Sequence, residues 1–262
     1  MPETITTSTD TRGVCTITLN RPDSRNALSG QMISELTQAA KTVGDDTAVR
    51  VVVLTGEGTT FCAGGDLNWM KDQIAADGKQ RAAEAKKIAM MLQALNTMPK
   101  PLIGRIQGSA LGGGVGMACV CDVAVAVDSA KFGLTETRLG LIPATIGPYV
   151  IARTGEANAR RVFMSSRIFA APEARELGIV ASVVPAGDLD AAVEREIQPY
   201  FQCAPGAVAQ AKRLARMLGP TIDERIISQT IDALVARWDS KESAEGIAAF
   251  FEKRPPVWSN PK

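Results

Sequence analysis

Short apolar runs separated by turn residues recur along the first half of the chain. Residues 14–19 alternate between apolar and polar, and residues 49–54 form a continuous β-branched run. Residues 102–106 and 123–127 are equally short and apolar. Alternation is typical of a strand with one covered face, and a continuous run is typical of a strand with two. The pattern therefore predicts a sheet whose central part is covered on both faces.

Helical spacing of apolar residues fills the stretches between these strands. Met32, Leu36 and Val43 lie on one face of a predicted helix, and Ser29 is its predicted N-cap. A second amphipathic helix is predicted over residues 79–96. Strand, helix and strand in succession predict right-handed βαβ crossovers, and hence an α/β fold.

From residue 139 onward the predicted elements are mostly helices. Two helices are predicted over residues 156–164 and 172–177, and one last strand over residues 179–184. Three further helices are predicted between residues 187 and 251. A boundary near Gly187 divides the chain into an α/β core, residues 1–186, and a C-terminal helical region, residues 187–262. This region carries more apolar residues than an isolated module can bury, which predicts contact with a neighbouring subunit.

Composition narrows the class of protein. The chain has 262 residues, 45% of them hydrophobic, and its 29 basic and 28 acidic residues give a net charge of +1. The chain therefore lacks the surplus of basic residues that would indicate a nucleic acid or an anionic membrane as partner. The sequence has neither a secretory signal pattern nor an apolar run of about 18 residues. Five cysteines in apolar contexts fit a reducing compartment. We therefore expect a soluble, cytoplasmic protein.

The chain contains no histidine. This excludes Ser-His-Asp and Cys-His catalysis and the usual imidazole metal sites, so we expect no metal. Acid–base chemistry must then use carboxylates, Lys, Tyr, Cys or water.

A glycine-rich turn lies in the middle of the chain, where residues 101–122 read as strand, turn and buried helix. Gly108, the triplet 112–114 and Gly116 follow the predicted strand. A helix that begins in these glycines directs its free N–H groups and positive dipole end toward a bound negative charge, as an oxyanion hole does. The alternative is that the glycines only allow a buried helix to approach a strand closely.

Four separated motifs occur together in a fixed order. They are Arg21-Pro22 with Arg25-Asn26-Ala27-Leu28, FCAGGDL at residues 61–67, GSALGGG at residues 108–114, and Phe250 with Lys253. The combination resembles the enoyl-CoA hydratase/isomerase, or crotonase, superfamily. Four longer stretches look most like the methylglutaconyl-CoA and carboxygeranoyl-CoA hydratase-like branch of this superfamily: residues 61–70, 111–116, 133–150 and 252–258. The resemblance implies a core of repeated ββα units, a C-terminal helical trimerisation region and a homotrimer or dimer of trimers. It also implies an acyl-CoA thioester substrate whose coenzyme A is part of the substrate, with no separate cofactor.

The resemblance also assigns residues to a site. The backbone N–H groups of Gly65 and Gly113 match the two oxyanion donors. The coenzyme A body is expected along Arg25, Ala27, Ala63, Asp66 and Leu67, and Phe250 and Lys253 are expected to reach it from the adjacent subunit.

The acid–base pair of the family is incomplete in this chain. Glu136 matches the second catalytic glutamate of family hydratases, whereas the first falls on Gly116. Three functions follow: a hydratase for branched or carboxylated enoyl-CoA, a Δ3,Δ2-enoyl-CoA isomerase that uses Glu136 alone, and a non-catalytic CoA-thioester-binding protein. Arg138 and Arg153 are candidates to pair with a carboxylate at the far end of the acyl chain; the alternative for either arginine is a structural role.

Overall fold

The computed structural model describes residues 3–259 of the chain. Its strands form two sheets, one of six strands and one of four. The strands are β1 Ile5–Thr9, β2 Val14–Leu19, β3 Val51–Gly56, β4 Thr60–Cys62, β5 Leu102–Ile106, β6 Ser109–Leu111, β7 Val123–Val127, β8 Lys131–Gly133, β9 Ile168–Ala170 and β10 Ser182–Val184.

Helices occupy most of the remaining described residues. They are α1 Gly30–Asp45, α2 Leu67–Ala75, α3 Gly78–Thr97, α4 Gly113–Val120, α5 Gly147–Phe163, α6 Ala171–Glu176, α7 Leu189–Ile197, α8 Pro205–Leu218, α9 Glu224–Trp238 and α10 Lys241–Phe251. Within residues 3–259, none of them is both long and apolar enough to cross a membrane.

Three sequence predictions in the second half of the chain were wrong. The helix predicted over residues 156–164 begins at Gly147, because Pro148 stands in its first turn, where proline is tolerated. Gly155, with φ of 74°, divides this helix at a kink, and the apolar pattern indicated only the second half. Four helices rather than three follow residue 187, and the last strand begins at Ser182 rather than at residue 179.

The larger sheet has the strand order β1-β2-β3-β5-β7-β10. All of its pairs are parallel except β1 with β2. Every residue of β3 is buried, as its continuous apolar run predicts. Ser29 caps α1 as predicted, because its Oγ accepts a hydrogen bond of 3.2 Å from the N–H of Met32. Helix α1 packs against β1 and β2, and α7 packs against β5 and β7.

The smaller sheet positions the candidate site. Its strand order is β4-β6-β8-β9, and β4, β6 and β8 run parallel to one another. Because parallel strands end at the same edge of a sheet, the loops that follow these three strands meet there. Those loops carry the FCAGG glycines, the GGG triplet and Glu136.

The C-terminal helices fold onto the core of their own chain. Ile227 and Ile231 of α9 pack against Ala85 and Ala89 of α3. Helix α10 packs against the 3₁₀ turn Glu136–Leu139. Helix α8 has no buried residue. Leu189, Val193 and Ile197 of α7 belong to the main apolar core. Helix α7 thus packs against the larger sheet, although it follows residue 187. The domain boundary near residue 187 stays a prediction.

Candidate active site

The two glycine-rich loops touch each other at the edge of the smaller sheet. Gly64 has φ of 94° and Gly112 has φ of 48°, a region that side chains with a Cβ rarely adopt. A Cβ atom on Gly64 would lie 3.2 Å from the carbonyl oxygen of Leu111. A Cβ atom on Gly112 would lie 3.8 Å from Cα of Gly64. Glycine at both positions therefore lets the two backbones approach.

The loop after β2 is joined to the FCAGG loop by three backbone hydrogen bonds. The N–H of Ala63 donates to the Arg25 carbonyl at 3.0 Å, and the N–H of Leu28 donates to the Gly64 carbonyl at 2.8 Å. The N–H of Asp66 donates to the Leu28 carbonyl at 3.1 Å. This short ladder brings the sequence motif of residues 25–28 against that of residues 63–66.

The two predicted oxyanion donors are without an acceptor. In the part of the chain from residue 3 to residue 259, the N–H groups of Gly65 and Gly113 donate no hydrogen bond. Gly113 is the first residue of α4, so its N–H lies at the positive end of that helix. The glycine contacts described above place the two segments side by side. Such an arrangement can stabilise negative charge on a thioester oxygen.

Glu136 points its carboxylate at this pair of loops. Its Oε1 lies 3.2 Å from where a Cβ atom on Gly112 would stand. The residue as a whole is partly exposed, but Oε2 is shut off from solvent and has no hydrogen-bond partner among the described residues. Burial raises the pKa of Glu136 to about 7, although a hydrogen bond from its own backbone N–H opposes the rise. A carboxyl group with this pKa can both accept and donate a proton near neutral pH.

Gly116 lies in the buried helix α4, but it leaves no open space. A Cβ atom on Gly116 would lie 2.7 Å from Cγ2 of Ile146 and 3.5 Å from Cδ1 of Leu92. Both of these side chains are buried. The place of the first family glutamate is thus filled by an apolar wall, and Glu136 has no second carboxylate opposite it at this position.

The residues predicted along coenzyme A lie together beside the two loops. Arg25 is exposed with φ of 52°, Ala27 is buried and the side chain of Leu67 is half-exposed. Asp66 has a further role: its Oδ1 caps α2, and its Oδ2 accepts a hydrogen bond of 2.8 Å from Arg21. Burial opposes the ionisation of Asp66, but the bonds from Arg21 and from the α2 backbone outweigh it and lower the pKa. That Arg25, Ala27, Ala63, Asp66 and Leu67 bind coenzyme A stays a prediction.

Phe250 and Lys253 lie at the exposed end of α10. The neighbouring Phe251 ring has Nζ of Lys71, from α2 of the same chain, 5.4 Å from its centre. The end of α10 therefore lies beside the helix that follows the FCAGG loop. That Phe250 and Lys253 reach into the site of an adjacent subunit stays a prediction.

Arg153 has the structural role that was the alternative to binding an acyl carboxylate. Its guanidinium donates to the carbonyls of Cys119, at 3.1 Å, of Asp122, at 3.3 Å, and of Cys121. These carbonyls belong to the last turn of α4 and the two residues after it, roughly 10 Å along the chain direction of the helix from Gly113. Arg138 is exposed and stands two residues after Glu136, and its Nη2 donates one bond of 3.3 Å to the Ser166 carbonyl. Its pairing with an acyl carboxylate stays a prediction.

Asn26 and Arg21 hold the loop after β2 in place, a role that was not predicted for them from the sequence. Asn26 is fully buried with φ of 53°, and its Nδ2 donates to the carbonyls of Glu57 and Thr60 at 2.9 and 2.8 Å. Nη1 of Arg21 donates to the Ala27 carbonyl at 2.6 Å. The available signal was the asparagine itself, since Asn tolerates left-handed backbone and is common in turns.

A cavity of about 930 Å³ lies between α7 and the sheet residues Thr16, Thr55 and Arg105. Its cations are paired with carboxylates: Arg105 bonds to Asp190 at 2.7 Å, and Arg12 bonds to Asp10 at 2.9 Å. Nothing in its lining points to a ligand. Across residues 3–259, no three His, Cys, Asp or Glu side chains come together as metal ligands do.

Comparisons with known proteins agree with this architecture. The profile of one family, described as enoyl-CoA hydratase/isomerase, matches residues 9–261. The Mycobacterium bovis protein named "Probable enoyl-CoA hydratase echA8" is 35% identical over 98% of both chains. The mitochondrial methylglutaconyl-CoA hydratase of Mus musculus is 32% identical, over 94% of this chain and 80% of its own. An enoyl-CoA hydratase structure from Shewanella pealeana has a TM-score of 0.80 and 36% identity, over 97% of this chain and 96% of its own. The chain therefore belongs to the enoyl-CoA hydratase/isomerase family and is one of its enzymes.

Proposed function

We propose that this enzyme adds water to a 2-enoyl-CoA thioester, with Glu136 as its acid–base group. One observation carries the proposal: the Glu136 side chain faces the touching glycine loops, and its buried Oε2 has no hydrogen-bond partner within residues 3–259. In a folded protein a buried polar atom without a partner is rare and calls for a functional reason. Proton exchange with a substrate is such a reason.

The reaction needs one carboxylate and two N–H donors. The oxygen of water adds to C3 of the enoyl chain while Glu136 takes one of the two water protons. The electrons of the double bond move through C2 onto the thioester oxygen, where the N–H groups of Gly65 and Gly113 stabilise the enolate. The proton then passes from Glu136 to C2. One C–O bond and one C–H bond have formed, and the carboxylate is restored.

The substrate we favour is a branched enoyl-CoA that carries a distal carboxylate. A relative at 32% identity is named a methylglutaconyl-CoA hydratase. We assign such a carboxylate to the guanidinium of Arg138, which is exposed, two residues from Glu136 and held by one bond of 3.3 Å to the Ser166 carbonyl. Coenzyme A enters with the substrate along residues 25–27 and 63–67, and no resident cofactor takes part.

The second candidate is a Δ3,Δ2-enoyl-CoA isomerase. The apolar wall of Ile146 and Leu92 beside Gly116 favours it, because no carboxylate on that side can activate water. Glu136 would then take a proton from C2 of a 3-enoyl chain and return it to C4. The intermediate would be a dienolate whose thioester oxygen is held by the same two N–H groups, and no water would be consumed.

The mass of the product distinguishes these functions. The enzyme is incubated with linear, branched and carboxylated 2-enoyl- and 3-enoyl-CoA thioesters, and the products are analysed by mass spectrometry. Hydration adds the mass of one water, and isomerisation adds nothing. Glu136→Gln is the control, for which we expect a loss of at least about 10²-fold in kcat. Double-bond migration without any gain in mass would replace the first candidate by the second. Turnover by Glu136→Gln at the wild-type rate would exclude both.

A further inference from the structure

We infer that Leu28 is a positioning residue that sets the separation of the two N–H donors. The inference rests on the proposed function, in which Gly65 and Gly113 together hold the thioester oxygen. Leu28 contacts both donor segments, one through its backbone and the other through its side chain.

The backbone of Leu28 fixes the Gly65 segment. Its N–H donates to the Gly64 carbonyl at 2.8 Å, and its carbonyl accepts from the Asp66 N–H at 3.1 Å. Leu28 and Gly65 thus form an isolated parallel bridge. In such a bridge the residue between the two bonds directs its own N–H away from the partner. The N–H of Gly65 is consequently the group that the bridge leaves available.

The side chain of Leu28 stands against Gly113. A Cβ atom on Gly113 would lie 2.5 Å from Cδ1 of Leu28 and 3.7 Å from its Cγ. Leu28 is 2% exposed, so the isobutyl group is held between its neighbours. Glycine at 113 makes room for this group, and the group in turn limits how closely α4 can approach the Gly65 segment.

Leu28 can act as a spacer because its own loop is fixed. Asn26 anchors the loop to the residues around β4, and Arg21 holds the Ala27 carbonyl. A spacer of defined length matters for this chemistry, since oxyanion donors act only when they lie 2.7–3.1 Å from the charged oxygen. A displacement of about 1 Å can lower a rate by roughly 10²-fold.

The first test compares two equal truncations in the same apolar core. Leu28→Ala removes the spacer, and Leu36→Ala removes a buried leucine of α1 that contacts neither glycine; both leucines belong to the main cluster. We expect both variants to lose Tm. Only Leu28→Ala should lose kcat, by about 10- to 10²-fold with KM nearly unchanged. Leu28→Met, which conserves volume, should restore most of the rate. Equal effects of the two truncations on kcat would overturn the inference.

A double-mutant cycle tests the contact itself. Gly113→Ala places a methyl group where Cδ1 of Leu28 now lies, and Leu28→Ala removes that atom. We expect the double variant to turn over substrate faster than the product of the two single effects predicts, because the new methyl group fills the vacated space. Additive effects would show that Leu28 does not set the position of Gly113.

A readout without turnover separates this inference from the proposed function. Hydrogen bonds to a thioester lower its carbonyl stretching frequency, which isotope-edited infrared spectroscopy measures on a bound saturated acyl-CoA. We expect wild type and Leu36→Ala to show the full shift and Leu28→Ala a smaller one. If wild type converts no enoyl-CoA but keeps this pattern, the proposed function fails and the role of Leu28 stands. A full shift in Leu28→Ala would refute the role of Leu28 alone.

Discussion

A Cβ atom on Gly116 would lie 3.1 Å from Cβ of Ile146, as well as 2.7 Å from its Cγ2. The contact involves the root of the isoleucine side chain and not a flexible end. Ile146 is 2% exposed and immediately precedes α5, so it cannot turn away into solvent. Positions 116 and 146 therefore share one volume, and only one of them can carry a large side chain.

We predict that Gly116→Glu alone does not create a two-carboxylate hydratase. The new side chain would collide with Ile146, so we expect a folded yield and Tm below wild type and no gain in hydration of a linear 2-enoyl-CoA. Gly116→Glu with Ile146→Gly frees the volume, and this double variant should hydrate the linear substrate faster than either single variant. Ile146→Gly is the control for cavity formation. A gain in rate from Gly116→Glu alone would contradict the shared-volume account.

Glu136 should make the stability of the fold depend on pH in an unusual direction. Folding raises its pKa from 4.5 to about 7, so the folded protein keeps this proton to higher pH than the unfolded chain does. Ionisation thus lowers stability as pH rises from about 4.5 to about 7, by at most about 3 kcal/mol. Glu136→Gln removes this loss, so the variant should be more stable than wild type at pH 8 and nearly equal to it at pH 4.5.

Glu35 supplies a control of opposite sign. Burial opposes its ionisation, but hydrogen bonds from Thr4, Ile5 and Gln31 prevail and lower the pKa. The ionised Glu35 therefore stabilises the fold at pH values above its unfolded pKa, and this contribution is lost on acidification. Glu35→Gln should be destabilising at pH 8 and less so in acid. Urea unfolding at several pH values measures both effects. If the Glu136→Gln variant were less stable than wild type at pH 8, the carboxylate of Glu136 in the wild type would have a favourable partner.

The sequence predicted those features of the site that depend on a single residue or a short motif. The helix that begins at Gly113 and the turn after FCAGG follow from local residue types, whereas Glu136 was assigned through the resemblance to the family. All three lie at the same edge of the smaller sheet. That these residues act in catalysis stays a prediction.

What the sequence did not predict depends on pairs of distant residues. Ile146 is 30 positions from Gly116, and no apolar pattern indicates that their side chains compete for space. Arg153 reads like any arginine of a helix, and only the fold brings its guanidinium to the carbonyls at the end of α4. Asp66 was expected along coenzyme A, yet its carboxylate is engaged by Arg21 and by the α2 backbone. Tertiary contacts of this kind leave no local signal.

The donor role of Gly65 can be tested by comparing two substitutions. A Cβ atom at this position would make only ordinary contacts, the nearest at 3.7 Å from Trp69, so Gly65→Ala should keep most of the activity. Gly65→Pro removes an N–H that bonds to no described residue, and we expect kcat to fall by about 10²- to 10³-fold. Steady-state kinetics and circular dichroism on both variants check this. Equal activity of the two folded variants would exclude the Gly65 N–H as a donor.

Helix α10 should support the turn that carries Glu136. A Cβ atom on Gly246 would lie 2.5 Å from the carbonyl carbon of Leu139, a backbone atom that cannot yield. Gly246→Ala should therefore displace the turn Glu136–Leu139 and lower kcat together with Tm. Gly30→Ala, at the start of α1, is the matched control, since nothing lies within 4 Å of its Cβ position. Wild-type kcat in Gly246→Ala would show that α10 is dispensable for the position of Glu136.

The face of α8 should bury against another copy of the chain. Leu214, Met217 and Leu218 are 51%, 69% and 76% exposed, although Lys212 anchors the helix through a 2.8 Å ion pair with Asp122. We expect a homotrimer or a dimer of trimers. Sedimentation at micromolar concentration should show no folded species of 27.7 kDa. Met217→Glu should weaken the assembly, whereas Arg213→Glu, an exposed change without apolar loss, serves as its control. A stable wild-type monomer would contradict this prediction.

The shared volume of positions 116 and 146 also gives direction to evolutionary change. A lineage that carries isoleucine at 146 loses stability and gains no activity if a glutamate at 116 comes first, because the new side chain collides with Ile146. Shortening residue 146 must come first, and the resulting cavity lowers stability before any new activity compensates. The reverse path, loss of the glutamate followed by growth at 146, restores apolar contacts at its second step. Descent from a two-carboxylate ancestor is therefore easier than return to one.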